Sequence, residues 1–107
     1  MFTVIENPYF IRKASKMLSD EQREALIDFI SVSHEDGATI SGSGGVQKIR
    51  WAHQTGKGKR GASRVIYLVI GKKGCVHLID IFEKNVKENV SQADKNAMKK
   101  LSEILKK

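Results

Sequence analysis

The sequence predicts an α+β fold of order β-α-α-β-β-β-α, an antiparallel sheet with an N-terminal helical hairpin packed on one face and a C-terminal helix. Three observations carry this reading. Ser19 to Gln22 (SDEQ) and Ser91 to Asp94 (SQAD) are N-cap signals, each followed by apolar residues at helical spacing. Between Val46 and Phe82, runs rich in β-branched residues alternate with Gly/Lys-rich segments, the pattern of strands joined by turns. The length of 107 residues suffices for one core, so 1–107 is read as a single domain.

The elements follow in order. Met1 to Ile5 alternates Phe2 and Val4 against Thr3, a short first strand. Asn7-Pro8 opens a helix, because proline is tolerated in a first turn. Phe10, Ala14, Met17 and Leu18 then share one helical face. Ser19 starts a second helix with Ala25, Leu26, Phe29 and Ile30 as its apolar face, and the tight junction implies a hairpin. Asp36-Gly37 closes the helical part. Ser41 to Gly45 (SGSGG) is a loop that needs backbone freedom. Val46 to Ala52 is a strand with Val46, Lys48 and Arg50 on one side and Gln47, Ile49 and Trp51 on the other. Gln54 to Gly61 is a loop, Ser63 to Ile70 a strand, Gly71 to Gly74 a hairpin turn, and Cys75 to Phe82 the next strand. The last helix presents Ala97, Leu101, Ile104 and Leu105. Successive hairpins imply helices on one face of the sheet and a second face open to a ligand.

Composition narrows the function classes. A hydrophobic fraction of 40% with 29% charged residues fits a soluble globular chain. No apolar run approaches the roughly 20 residues needed to span a bilayer, so no membrane partner is expected. The N-terminus lacks a basic, then apolar, secretory leader. The one cysteine, Cys75, sits in a strand-like run and reads as a buried structural thiol, which suits a cytoplasmic location. The net charge is +7, and it is localised. No acidic residue occurs between Asp36 and Asp80, whereas that interval carries Lys48, Arg50, Lys57, Lys59, Arg60, Arg64, Lys72 and Lys73. The remainder is nearly neutral. A concentrated positive field favours a polyanion, of which nucleic acid is the common one.

Common chemical motifs fail. Gly56 to Ser63 (GKGKRGAS) has Ala62 where a phosphate-binding loop needs lysine, and a strand follows where a helix is required. Gly42 to Gly45 lacks the strand–turn–helix setting of a dinucleotide fingerprint. His34, His53 and His77 have no ligand-like spacing, so neither a metal nor another cofactor is expected. The basic residues form the better pattern. Lys48 and Arg50 share a strand face, Arg64 starts the next strand, Lys57, Lys59 and Arg60 lie in the loop between, and Lys84 follows the last strand. On neighbouring strands they would line a groove that grips phosphates and stabilises charge on a phosphorane-like transition state. Arg64 could instead pair with Asp80. Trp51, Tyr67 and Phe82 could stack on bases or pack in the core.

At these positions the chain resembles a known family. GSGGVQKIR (42–50), GKGKRGASRVIY (56–67) and IFEKN (81–85) followed by SQADK (91–95), in that order, resemble HigB-type toxins of the RelE superfamily. The resemblance implies a RelE-like fold, a neutralising antitoxin protein with a helix-turn-helix DNA-binding domain, and cleavage of translated mRNA at the ribosome. The implied chemistry is metal-free attack of a ribose 2′-hydroxyl on the adjacent phosphate. It implies Arg64 as the phosphate clamp, Lys84 and Lys57 as further catalytic cations, and Lys48, Arg50, Lys59, Arg60 and Phe82 as RNA contacts. Related toxins often place a tyrosine near the last strand, where this chain has Phe82, so proton transfer would fall to a lysine. The alternative class is a binder without nuclease activity, either a ParE-like gyrase inhibitor or an RNA-binding module.

Overall fold

The computed structural model describes residues 2–54, 60–83 and 90–107, with backbone alone at 53, 54, 60 and 61. Strand β1 (Thr3–Glu6) leads into helices α1 (Pro8–Met17) and α2 (Asp20–Ser33). A short β2 (Ala38–Thr39) precedes β3 (Gln47–Gln54), β4 (Arg60–Ile70), β5 (Cys75–Glu83) and helix α3 (Gln92–Leu105). The helix starts follow local chemistry. Asn7 caps α1 by accepting from the Tyr9 amide at 3.0 Å, with Pro8 in the first turn. Ser19 and Gln22 form a reciprocal capping box on α2, and Ser91 and Asp94 form one on α3.

The sheet order is β1-β5-β4-β3-β2. The three long strands pair antiparallel as expected, but β1 lies parallel to β5, with Thr3 opposite Cys75 and Glu6 opposite Leu78. The α1–α2 hairpin and the later strands form the crossover that a parallel pair requires. The two-residue β2, not anticipated from the sequence, borders β3. Both β3 and β4 run closer to the intervening loop than the sequence predicted, to Gln54 and from Arg60.

Two apolar layers flank the sheet. Phe10, Ala14, Leu26 and Ile30 of the hairpin pack on Ile49, Trp51, Val65, Tyr67, Val76, Leu78 and Ile81. On the other side Met98 and Leu101 of α3 pack with Ile66, Leu68, Ile70, Cys75, Ile79 and Phe82. The expectation that all helices share one face is therefore corrected: α3 covers part of the opposite face. Its buried face is also rotated from the predicted one. Ile104 is 64% exposed and Ala97 is exposed, while Met98 and Ser102 are buried, because Ser102 Oγ donates to the Gly44 carbonyl at 2.7 Å. Ala25 of α2 is likewise exposed. The glycine loop does need its freedom: Gly42, Gly44 and Gly45 have φ of 77°, 80° and 97°. At Gly44 a Cβ would press on Ser102, so glycine there also permits α3 to dock. Gly74 takes the left-handed position that ends the β4–β5 turn.

Candidate functional site

Side chains two apart on a strand share a face, and β3–β4 pairing sets Lys48 opposite Ile66, Arg50 opposite Arg64, and Ala52 opposite Ala62. Ile66 belongs to the α3-side layer, so Lys48, Arg50 and Arg64 lie on that side too. On its other flank Arg64 pairs with Phe82 of β5. The resulting row, Arg50–Arg64–Phe82, runs across three strands, with opposite Cβ atoms on the order of 5 Å apart. Arg50 is exposed, and Lys48 and Arg64 are half-buried. Ala52 and Ala62 keep the next row low.

Like charges held this close repel, and among the described residues no carboxylate pairs with Lys48, Arg50 or Arg64. Asp80, the partner that Arg64 could have taken, is held instead by Lys13 of α1, with Nζ to Oδ1 at 2.6 Å. Three cations that pair with no carboxylate among the described residues, gathered on one sheet face, form a site of high positive potential, suited to a polyanion. Arg60 is paired with Gln54 through the backbone, at the far end of the same two strands. Lys57, Lys59 and Lys84 lie outside the described residues.

The aromatic candidates separate. Trp51 is 7% exposed and Tyr67 fully buried, both in the hairpin-side layer, so neither is presented to a base. The Tyr67 hydroxyl donates to the His34 carbonyl at 2.8 Å. Burial pushes its pKa up; the backbone at Gly37 opposes this, and Asp36 adds to it. This phenol therefore stays protonated at neutral pH. Phe82 is 7% exposed in the α3-side layer, with the Lys13 ammonium 5.7 Å from its ring centroid. Lys13 also lies 5.4 Å from the ring of Tyr9, which is 48% exposed. Sequence reasoning missed Lys13, and only its helical position in a basic stretch marked it. Cys75 is buried, with Sγ 3.7 Å from His77 Nε2. Among the described residues no three His, Cys, Asp or Glu side chains gather as a metal site, and no helix is long and apolar enough to cross a membrane.

A family model described as the RelE toxin of the RelE/RelB toxin–antitoxin system matches residues 3–107. The chain belongs to the RelE toxin family. Solved members of this fold agree with the architecture. A free arginine double mutant of E. coli RelE aligns with a TM-score of 0.54 at 19% identity, over 81% of this chain and 87% of that one. RelE-family architecture also appears in the intact E. coli RelBE toxin–antitoxin complex, with a TM-score of 0.53 at 18% identity over 78% and 96% of the two chains. The isolated E. coli RelE toxin aligns over 94% and 99%, with a TM-score of 0.52 at 16% identity. At these identities the likeness is one of fold. The five-stranded sheet flanked by three helices is thus the RelE fold, and the cationic row stands on the sheet face that α3 leaves partly open.

Proposed function

We propose that this RelE-family chain is a HigB-type toxin, a ribosome-dependent endoribonuclease that cleaves translated mRNA in the cytoplasm. In this reading an antitoxin protein with a helix-turn-helix domain neutralises it. The observation that carries the reading is the in-register Arg50–Arg64 pair beside Lys48, without carboxylate partners among the described residues. Such a row suits a chain of phosphates, and a guanidinium can hold two phosphate oxygens at once.

The proposed reaction is metal-independent. The 2′-hydroxyl loses its proton, the O2′–P bond forms and the P–O5′ bond breaks. The leaving O5′ takes up a proton, giving a 2′,3′-cyclic phosphate and a 5′-hydroxyl. Arg64 clamps the phosphate and stabilises charge developing on its oxygens. Lys84 and Lys57 are the proposed proton-transfer and charge-stabilising lysines, with Lys48, Arg50, Lys59 and Arg60 holding the flanking RNA. The covered phenol of Tyr67 argues against that residue as the base. Phe82, expected as an RNA contact, is instead buried in the α3-side layer opposite Arg64, where it packs beneath the row and has little surface to offer a base.

Primer extension on translated messages after induction tests the reading. Wild-type protein should create new 5′ ends inside translated codons. Arg64→Ala should reduce them about 100-fold or more, the scale of losing one transition-state contact, while its melting temperature stays within a few degrees. Intact messages accompanied by DNA damage would instead assign the chain to gyrase inhibition.

A further inference from the structure

Asp80 is the first acid after the long basic interval, and it lies close to the cationic row. The β4–β5 pairing shifts between Ile66 and Tyr67: Tyr67 faces Leu78 while Ile66 faces Asp80, so Ile79 is an extra residue. Its pairing with Ile66 puts Asp80 on the α3-side face, where it lines a cleft between Tyr9 of α1 and Met98 and Leu101 of α3. Arg64 faces Phe82, two residues further on. Asp80 is therefore the diagonal neighbour of Arg64, roughly 7–8 Å away between backbones and within reach of a long side chain. Its carboxylate is only 17% exposed and is already taken. Lys13 Nζ approaches Oδ1 at 2.6 Å, and the Ile81 amide donates to the same oxygen at 2.7 Å.

We propose that Lys13 is a positioning residue that, by reaching from α1 to pair with Asp80, keeps the Arg64 guanidinium free for an RNA phosphate. The inference rests on the functional reading above and adds a residue to it. Without Lys13, a largely buried carboxylate would need another cation, because burying an unpaired charge is costly. Arg64 is the arginine diagonal to it on the same face, and an arginine–carboxylate pair is strong enough to compete with a phosphate contact.

The test measures binding of the full chain to fluorescein-labelled single-stranded RNA across a salt series, together with mRNA cleavage in a translating extract. Lys13→Met should weaken binding about tenfold, the loss of one charge-assisted contact. The log–log salt slope should become shallower by about 0.7. Lys13→Arg should behave as wild type. Asp80→Asn should bind as well as wild type or better, and the Lys13→Met/Asp80→Asn double variant should return to within about twofold of wild type. Lys13→Met leaves a largely buried carboxylate and should melt below Asp80→Asn, so binding is measured well below the melting temperature of each variant, where a loss confined to Lys13→Met does not come from unfolding. A double variant as weak as Lys13→Met would mean that Lys13 touches RNA itself, and would overturn the inference. So would a Lys13→Met protein that binds and cleaves normally. Wild-type protein that neither binds nor cleaves RNA would overturn the functional reading first, and this inference with it.

Discussion

The two faces of the sheet are built from the same strands yet are finished differently. On the hairpin side Val65, Tyr67, Val76, Leu78 and Ile81 lie under α1 and α2, each of them fully buried. On the other side α3 covers Ile66, Leu68, Ile70 and Cys75, and the strands then continue beyond the apolar layer into Lys48, Arg50 and Arg64. Because side chains alternate along a strand, β4 can anchor a core with Val65 and Tyr67 while presenting Arg64 to a ligand. Unpaired cations side by side destabilise a fold, and the sealed face supplies the apolar burial that offsets this.

Truncations on the two faces should give the largest contrast. Leu26 is 1% exposed in the hairpin layer, and Leu26→Ala should cost about 3 kcal/mol, from lost burial and the cavity left behind. Leu101 packs on the α3 side but is only partly buried, and Leu101→Ala should cost about 1 kcal/mol. Urea unfolding measures both. Equal losses would mean that α3 is as integral to the fold as the hairpin, and the picture of one sealed and one partly open face would fall.

Gly37→Ala probes how tightly the sealed face is closed at its β2–β3 edge. A Cβ at Gly37 would run into the Tyr67 hydroxyl and the Lys48 carbonyl oxygen. Tyr67 is fully buried and its hydroxyl is bonded to His34, so the ring cannot simply swing away. The variant should lose about 2 kcal/mol, a typical cost of overpacking. Tyr67→Phe in the same background should recover part of that loss by removing the clashing oxygen. A Gly37→Ala protein as stable as wild type would show slack where the packing looks tight.

The sequence disclosed what depends on neighbours along the chain. Ser19 with Gln22 and Ser91 with Asp94 are three residues apart, so their capping boxes were readable before the fold was known. Strand alternation placed Lys48 and Arg50 on one face, and the strand order brought Arg64 beside them. Contacts between distant segments were not readable. The parallel pairing of β1 with β5 joins residues about seventy positions apart, and no local signal specifies it. The same holds for Lys13 and Asp80, separated by 67 positions. In α3, periodicity alone favoured Ile104 as a core residue, whereas the helix turns Ser102 inward to reach the Gly44 carbonyl. A polar bond to a loop decided which side of the helix faces in.

The smallest effect concerns the covered end of the α3 face. His77 lies on β5 beside Cys75, and its pKa is lowered first by burial and second by the charge of Lys73. The folded protein therefore holds this imidazole neutral at a pH where the unfolded chain, with an ordinary value near 6.5, already binds a proton. The unfolded state takes up the extra proton, so this contribution to stability is present above about pH 6.5 and is lost as pH falls through the lowered folded value. His77→Gln removes the titration while keeping a polar side chain. Melting temperatures of the two proteins should diverge with pH: between pH 7.5 and 5.5 wild type should lose more than His77→Gln, by a degree or two. Parallel losses would mean that His77 is as solvated as in the unfolded chain, and that the covered part of this face is more open to water than its packing implies.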